Sequence, residues 1–243
     1  MLKKKWGQHL LVSSGVLERL VELAEIKEEE TVVEIGPGTG NLTKKLLSTS
    51  LKRLYLIEID SDMITRLKNN INDPRVVIFN ADATRFDFDT LGEKELKLIG
   101  NLPYNVASLI IENTVYHKHL VYQAFYMVQK EVAERLIYLK SWLSIFVNTF
   151  YQVEYLMSIP PKFFIPPPKV NSAYLRFIRK DFEEIKDLKY YKNFLVKLFS
   201  QKRKMLKHKI APEFLERASI SPEKRVEQLS LSDFIALYRS FSQ

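Results

Sequence analysis

The sequence predicts an α/β fold: a mostly parallel β-sheet with helices on both faces, an antiparallel hairpin at one edge, and a small all-helical C-terminal unit. Three observations support this prediction. Short apolar and β-branched runs alternate with segments of helical spacing over the first two-thirds of the chain. Two further apolar runs flank the proline-rich stretch 160–168, and only helical patterns follow residue 180.

Five runs are predicted to form the parallel strands, because each is rich in β-branched or large apolar residues. The first ends at a glycine-rich turn, and the strands are expected at 31–35, 53–59, 75–79, 96–99 and 122–128. Helical spacing predicts helices at 13–26, 42–47, 61–70, 105–115 and 129–140. This alternation is typical of a parallel sheet covered on both faces.

The later part of the chain has a different pattern. The runs 154–159 and 172–178 predict an antiparallel hairpin that closes one edge of the sheet. Helices are expected over 188–210 and 229–241. We therefore predict two domains, an α/β domain at 1–180 and a helical domain at 181–243.

The composition excludes several classes of site. The chain has no cysteine, which rules out disulfides, thiolate metal sites and cysteine nucleophiles. The sequence gives no sign that the four histidines, His9, His117, His119 and His208, group with acids, so no metal site is expected. The longest apolar run is far too short to span a bilayer, and no signal-like segment follows the basic N-terminus. We expect a cytoplasmic protein.

The positive charge is concentrated in two places. The formal net charge is +8, and the stretch 197–209 holds six lysines and arginines and no acid. A charge run is usually a solvated face, but an acid-free run on a basic protein favours a polyanion, above all nucleic acid. The residues expected to contact phosphates are Lys3, Lys4, Lys5, Lys202, Arg203, Lys204 and Lys207.

A ligand site is predicted at the carboxyl ends of the first three strands. The glycines of 36–40 allow a tight strand-to-helix turn, and Asn41 stands where a dinucleotide fingerprint has its third glycine. S-adenosylmethionine carries a sulfonium and an ammonium, so acids such as Glu34 near the loop suit it. Glu58, after the second strand, can accept from ribose hydroxyls, and Asp82, after the third, can accept from the adenine amine. Each feature alone could be a plain turn or a solvated acid, but the ordered set favours this cofactor.

The segment Gly100-Asn101-Leu102-Pro103-Tyr104 follows the fourth strand. An amino nitrogen conjugated to a purine is a poor nucleophile, and hydrogen-bond acceptors on its N–H groups can hold it toward a pyramidal geometry. The Asn101 side-chain oxygen and the Leu102 carbonyl are suitable acceptors. Pro103 stiffens the turn, and Tyr104 offers a face on which a flipped-out base can stack. In isolation these residues could form an ordinary β–α turn; after the cofactor acids they predict a methyl-acceptor site.

The motifs together resemble the ribosomal RNA adenine dimethyltransferase family over nearly the whole chain. The matching segments are 6–11, 33–38, 57–60, 82–83, 100–104, 129–132 and 164–172. The resemblance implies a Rossmann-like class I methyltransferase fold at 1–180 and an RNA-binding helical domain at 181–243. Departures are His9 where Asn is common, Leu10 in place of Phe, and a shortened segment 139–145 that lacks the usual glycine.

The resemblance also implies an activity and its residues. The reaction is the transfer of methyl groups from S-adenosylmethionine to N6 of two adjacent adenosines in the 3′-terminal hairpin of 16S rRNA, and the partner is the immature 30S subunit, with the enzyme as a monomer. The implied catalytic residues include Phe164, which would hold the target base opposite Tyr104. The implied cofactor contacts are His9, Leu11, Gly36, Glu58, Asp82 and Asn101.

Three alternatives remain open from the sequence. One is a resistance-type methylase of large-subunit RNA, against which Leu102 argues mildly because that branch more often has Ile. Another is a ribosome-assembly factor that acts mainly by binding. A small-molecule methyltransferase would not need the basic appendage.

Overall fold

A computed structural model of the chain describes residues 9–139 and 141–241, so Lys3, Lys4 and Lys5 lie outside the described residues. The chain divides into two compact units. The first comprises Met1–Ala133 and Val153–Arg179, and the second Glu134–Gln152 and Lys180–Gln243. The helical unit thus includes a segment, 134–152, that lies within the domain predicted at 1–180. None of the described helices is long and apolar enough to cross a membrane.

A seven-stranded sheet forms the centre of the fold. Its strands are β2 Thr31–Ile35, β3 Arg53–Glu58, β4 Val76–Asn80, β5 Leu96–Asn101, β6 Val121–Gln129, β7 Tyr151–Ile159 and β9 Ser172–Arg179. Their order across the sheet is β4-β3-β2-β5-β6-β9-β7. The strands β2 to β6 are mutually parallel, and β9 pairs antiparallel with β6. The predicted parallel sheet with an antiparallel edge is confirmed.

A second, two-stranded sheet joins β1, Leu10–Leu11, to β8, Phe164–Ile165. The strands are antiparallel, with Leu10 opposite Ile165 and Leu11 opposite Phe164. This pairing attaches the start of the described chain to the turn that follows β7.

The helices before the C-terminal region are α1 Ser14–Ala24, α2 Asn41–Leu47, α3 Ser61–Asn70, α4 Ala107–Tyr116, α5 Lys130–Ile137 and α6 Trp142–Phe150. The sequence of α3 shows why such a helix begins where it does and which face it buries. Asp60 caps α3, since its side chain accepts from the backbone N–H of Asp62 at 2.9 Å. The apolar face of α3 buries Met63, Ile64 and Leu67.

The helix α6 was not predicted. Its few polar residues do not mark a solvent-exposed face, because Ser144 and Thr149 are themselves buried. Ser141 begins it with a capping box, in which its side chain accepts from the N–H of Ser144 at 3.1 Å. The segment expected as a shortened loop at 139–145 therefore includes a helix start.

Two C-terminal helices are shorter than predicted, α7 Leu188–Phe199 and α9 Leu231–Ser240, and α8 Pro212–Arg217 between them was not predicted. The prediction of one helix over 188–210 was wrong, because the chain leaves helical geometry after Phe199. Met205 instead forms a β-bridge with Arg225, and the N–H of Leu206 donates to the carbonyl of Lys224 at 2.8 Å. The basic residues at 202–204 therefore lie in an exposed turn.

Candidate active site

A cavity of about 190 Å³ lies beyond the carboxyl ends of β2, β3 and β5. The chain order reverses between β2 and β5, which is the position where open α/β sheets bind ligands. Gly100 makes the close approach of these two strands possible, because a Cβ there would lie 2.7 Å from the Ile35 carbonyl oxygen. Gly36 and Gly38 line the cavity and have φ angles of +66° and +56°.

Glu58 forms one wall of the cavity at the end of β3. One carboxylate oxygen accepts from the Gly38 N–H at 3.1 Å, and the other accepts from the N–H groups of Ile59 and Asp60 at 3.0 and 2.9 Å. Burial raises the pKa of Glu58 above its usual range, and the three backbone donors act in the opposite direction. The side chain is held rigidly and still has lone pairs for a ligand hydroxyl.

Asp82 lies on the cavity wall after β4. Its Oδ1 accepts from the N–H and the hydroxyl of Thr84, at 2.9 and 2.7 Å. Its Oδ2 faces the mostly exposed Arg85, 3.6 Å from Nε. Oδ2 is therefore the oxygen of Asp82 that is available to a ligand amine.

Glu34 does not line this cavity, contrary to the expectation that it would serve the ligand's positive charge. It is 1% exposed and accepts from the Thr43 hydroxyl at 2.6 Å. Burial raises its pKa to about 8. Its carboxyl packs against the start of α2 and lines a smaller cavity, together with Gly36 and Asn101.

Asn101 ends β5 with its side chain at the cavity. Its Nδ2 donates to the backbone carbonyl of His9 at 2.7 Å. This bond fixes the orientation of the amide, so that Oδ1 is its acceptor. Within the described residues Oδ1 accepts no hydrogen bond.

Two contacts, a hydrogen bond and a ring stack, hold the Tyr104 side chain in position. Its hydroxyl shares a hydrogen bond with Ser172 at 2.7 Å, and the imidazole of His9 stacks on its ring at a centroid distance of 5.3 Å. Burial raises the pKa of the Tyr104 hydroxyl, so it stays neutral. His9 is held in turn by the carbonyl of Pro166, 2.7 Å from Nδ1.

The neighbours of Tyr104 complete the turn. Leu102 is buried, and its N–H donates to the Met127 carbonyl at 3.0 Å, while the Pro103 carbonyl closes the turn by accepting from Val106 at 3.1 Å. The sequence did not single out Ser172 for this role, although it ends the matched segment 164–172.

Phe164 is not brought to the cavity. It is 2% exposed and belongs to the hydrophobic core, because its strand pairs with β1 and turns the ring inward. His9, rather than Phe164, lies against Tyr104. Leu11 is also buried and lines a smaller neighbouring cavity; its carbonyl accepts from Asn41 at 3.1 Å.

The basic residues expected to contact RNA lie at 202–207 and are exposed. The chain folds acids onto two of them: Lys202 pairs with Glu227 at 3.2 Å, and Lys207 lies 3.9 Å from Glu223. For Arg203 and Lys204 no ion pair is found among the described residues. The acid-free run in the sequence is thus partly neutralised in the fold.

The histidines also differ from expectation. His117 and His119 lie beside Asp87 and Asp89, about 30 residues earlier in the chain. The sequence did not indicate this grouping because the two pairs come from separate loops.

The cavity suits S-adenosylmethionine. Its lining offers two carboxylates, Glu58 and Asp82, as hydrogen-bond acceptors, with Ile59 and Ala83 as apolar walls. Gly36 and Gly38 have no side chains that would fill the cavity. At Gly38 a Cβ would also come within 2.9 Å of Leu10 Cδ2. The sequence motifs and the geometry therefore agree on the kind of ligand.

Comparison with known proteins identifies relatives over the whole chain. A family model described as ribosomal RNA adenine dimethylase matches residues 1–243. A "Ribosomal RNA small subunit methyltransferase A" from Persephonella marina is 44% identical over 97% of this chain and 92% of its own length. A protein of the same name from a Hydrogenobaculum species is 40% identical over 99% and 93%.

Solved structures agree with these relatives. The crystal structure of a dimethyladenosine transferase from Plasmodium falciparum superposes with a TM-score of 0.82 at 31% identity, covering 96% of this chain and 98% of that one. The 23S rRNA methyltransferase ErmE shares the fold, with a TM-score of 0.71 at 22% identity over 96% of this chain and all of its own. The chain belongs to the ribosomal RNA adenine dimethylase family of S-adenosylmethionine-dependent methyltransferases.

Proposed function

We propose that this enzyme methylates N6 of two adjacent adenosines in the 3′-terminal hairpin of 16S rRNA, giving N6,N6-dimethyladenosine. The observation that carries the proposal is the orientation of Asn101, whose Oδ1 is left as an acceptor at the cavity while Nδ2 is bonded to His9. The relatives named for the small subunit favour that RNA over the large-subunit alternative.

Asn101 and Leu102 act on the target amine. An exocyclic adenine nitrogen shares its lone pair with the ring, and acceptors on its two N–H groups favour the pyramidal form in which the lone pair can attack. Asn101 Oδ1 supplies one acceptor, and the Leu102 carbonyl supplies the second. Positioning is the main catalytic contribution, and no strong base is required because the methylated ammonium product is acidic.

Tyr104 supplies the stacking face for the flipped-out adenine. Its ring is already half-covered by the imidazole of His9, at an interplanar angle of 29°. The base therefore either displaces His9 or takes the other side of the ring. Phe164 would reach the base only by leaving the core, so we do not assign it the opposite wall.

The proposed cofactor contacts follow from the side chains and backbone that line the cavity. The bound S-adenosylmethionine supplies a methyl group activated on a sulfonium. Glu58 accepts from the ribose hydroxyls, Asp82 from the adenine amine, and Gly36 lies beneath the ligand through its backbone. His9, Leu11 and Asn101 complete the proposed contacts. The carbonyl of Leu11 also accepts a hydrogen bond from the Asn41 side chain and so holds that side chain in position.

RNA engagement is assigned to the exposed turn at 202–207 and to the lysines at 3–5. Arg203 and Lys204 are the stronger candidates within the turn, because Lys202 and Lys207 have acidic neighbours. We propose that the protein acts as a cytoplasmic monomer on the immature 30S subunit.

The test is methylation of defined RNA particles. Immature 30S particles from cells that lack the modification are incubated with the protein and labelled S-adenosylmethionine, with purified 23S RNA as a parallel substrate. Dimethyladenosine in the 16S RNA alone is expected. Labelling of 23S RNA instead would assign the protein to the resistance-type methylases that act on large-subunit RNA.

A further inference from the structure

Two pairs of metal-ligating side chains meet where the loops that precede β5 and β6 approach each other. Asp87 and Asp89 come from the loop before β5, and His117 and His119 from the loop before β6. His117 Nε2 lies 3.4 Å from an Asp87 oxygen and 3.9 Å from an Asp89 oxygen. His119 Nε2 lies 2.8 Å from the other oxygen of Asp89. Ligand atoms of Asp87, Asp89 and His117 all lie within 4.8 Å of one another.

The orientation of His117 is fixed from outside the group. Its Nδ1 is 2.9 Å from the Asn113 carbonyl, which can only accept, so Nδ1 carries a proton. The ring is 13% exposed and packs edge-on against Phe88. Asn113 is anchored in turn by donating to the carbonyls of Ala83 and Phe86, at 3.1 and 2.9 Å. In metal sites a histidine commonly donates one ring N–H to a group such as a backbone carbonyl, and this hydrogen bond orients the other ring nitrogen toward the metal.

The geometry leaves Nε2 of His117 facing the carboxylates of Asp87 and Asp89, at 3.4 and 3.9 Å. The same Asp87 oxygen accepts from the Asp89 N–H at 3.1 Å, which holds the two acids side by side. Arg179, whose guanidinium lies beside this loop, bonds to the carbonyls of Lys118 and His119 and to Glu95. It is therefore not the partner of Asp87 or Asp89.

We infer that Asp87, Asp89 and His117 bind a divalent transition-metal ion of the zinc class, with His119 turning from Asp89 to become the fourth ligand. Ligand atoms about 2.0–2.2 Å from a tetrahedral ion lie roughly 3.3–3.6 Å apart. The 3.4 Å distance from His117 to Asp87 is already in this range, while the 3.9 Å distance to Asp89 must shorten when the ion binds. Imidazole and carboxylate together suit zinc, nickel and copper better than magnesium or calcium.

The role of such an ion would be structural. It would join the loop at 87–89 to the loop that leads into β6, and both loops belong to the first compact unit. The segment from Asp82 to Asp87 links this group to the cofactor cavity. The inference does not depend on the substrate of the enzyme, and its readout is metal binding rather than methylation.

The experiment uses the full chain without a histidine tag, freed of metal by a chelator. Zn²⁺ is titrated by calorimetry, and Co²⁺ by its visible absorption, for the unmodified protein and for His119→Gln and Asp89→Asn. His208→Gln is the matched control, because His208 is an exposed histidine of the other unit. Circular dichroism checks that each variant is folded.

We expect one ion per chain in the unmodified protein and in His208→Gln. In His119→Gln and Asp89→Asn the affinity should fall at least about tenfold. Zn²⁺ should raise the melting temperature of the unmodified protein and of His208→Gln more than that of His119→Gln and Asp89→Asn. Equal Zn²⁺ affinity in all four proteins, or no stoichiometric binding by the unmodified protein, would overturn the inference.

Discussion

Asn101 donates a hydrogen bond from its side-chain amide to the backbone carbonyl of His9, at 2.7 Å and across 92 positions of sequence. The segment that carries His9 is held by the pairing of β1 with β8. The orientation of the proposed catalytic amide therefore depends on strand pairing outside the main sheet. A backbone acceptor cannot be removed by a side-chain change, so the Asn101 side chain is the place to test this relationship.

Replacement of Asn101 should reduce catalysis without unfolding the protein. Asn101→Ala removes the Oδ1 acceptor, and Asn101→Asp keeps an acceptor but loses the donor to His9. We expect kcat to fall by about 10²-fold in both, because the amine is no longer held in the reactive geometry. Single-turnover methylation of 16S RNA measures the change.

Asn70→Ala, at the exposed end of α3, is the control and should keep the unmodified rate. The assigned role of Asn101 is wrong if Asn101→Ala methylates at the control rate.

Two replacements of Tyr104 should separate stacking from hydrogen bonding. Tyr104→Phe loses the bond to Ser172 but keeps the ring, so a change of less than about tenfold is expected. Tyr104→Ala loses the ring, and stacking of a base on an aromatic side chain is worth about 1–3 kcal/mol, or roughly 5- to 150-fold. The measurement is kcat/KM for RNA; equal losses in the two variants would contradict a stacking role.

Glu34 should give the protein a pH-dependent stability. Its ordinary pKa is 4.5, and burial raises it to about 8 in the folded chain. Between these values the folded state keeps a proton that the unfolded state releases, so stability falls as the pH rises. The expected slope is about 1.4 kcal/mol per pH unit from this group, and it levels off above pH 8.

The measurement is the free energy of unfolding of the unmodified protein and of Glu34→Gln between pH 5 and 9. The difference between the two proteins should shrink with pH or reverse in favour of Glu34→Gln. A difference that is constant over this range would show that the pKa of Glu34 is not raised. Only the slope is diagnostic, because burial of the glutamine amide adds a constant offset.

The exposed turn at 202–207 should contribute to RNA affinity through charge. Arg203→Glu with Lys204→Glu is expected to raise KM for 16S RNA at least about tenfold and to flatten its dependence on salt, because fewer phosphate counterions are released. Lys52→Glu, an exposed lysine before β3, is the matched control. An unchanged salt dependence in the double variant would remove the turn from the RNA interface.

The sequence predicted the parallel sheet well for a physical reason. Strands such as Thr31–Ile35 are buried on both faces and read as continuous β-branched runs, and the glycine turn and Glu58 follow them directly. Order along the chain was therefore enough to bring Gly36, Glu58, Asp82 and Asn101 to one cavity.

Contacts between distant segments could not be predicted in the same way. The inward turn of Phe164 follows from its pairing with Leu11, and the His9–Tyr104 stack follows from the same small sheet. Glu34 has the pattern of an ordinary acid in the sequence, yet burial in the fold raises its pKa to about 8, against the opposite effect of the Thr43 hydrogen bond. The helix α6 was missed because its polar residues do not mark a solvent-exposed face: Ser144 and Thr149 are buried.

The measurement that tests the central claim most directly is mass spectrometry of 16S RNA from immature 30S particles treated with the protein and S-adenosylmethionine. We predict two adjacent N6,N6-dimethyladenosines in the 3′-terminal hairpin, and about 10²-fold slower formation of them with Asn101→Ala. Unmethylated 16S RNA, obtained with a protein that binds S-adenosylmethionine normally, would contradict the proposed function.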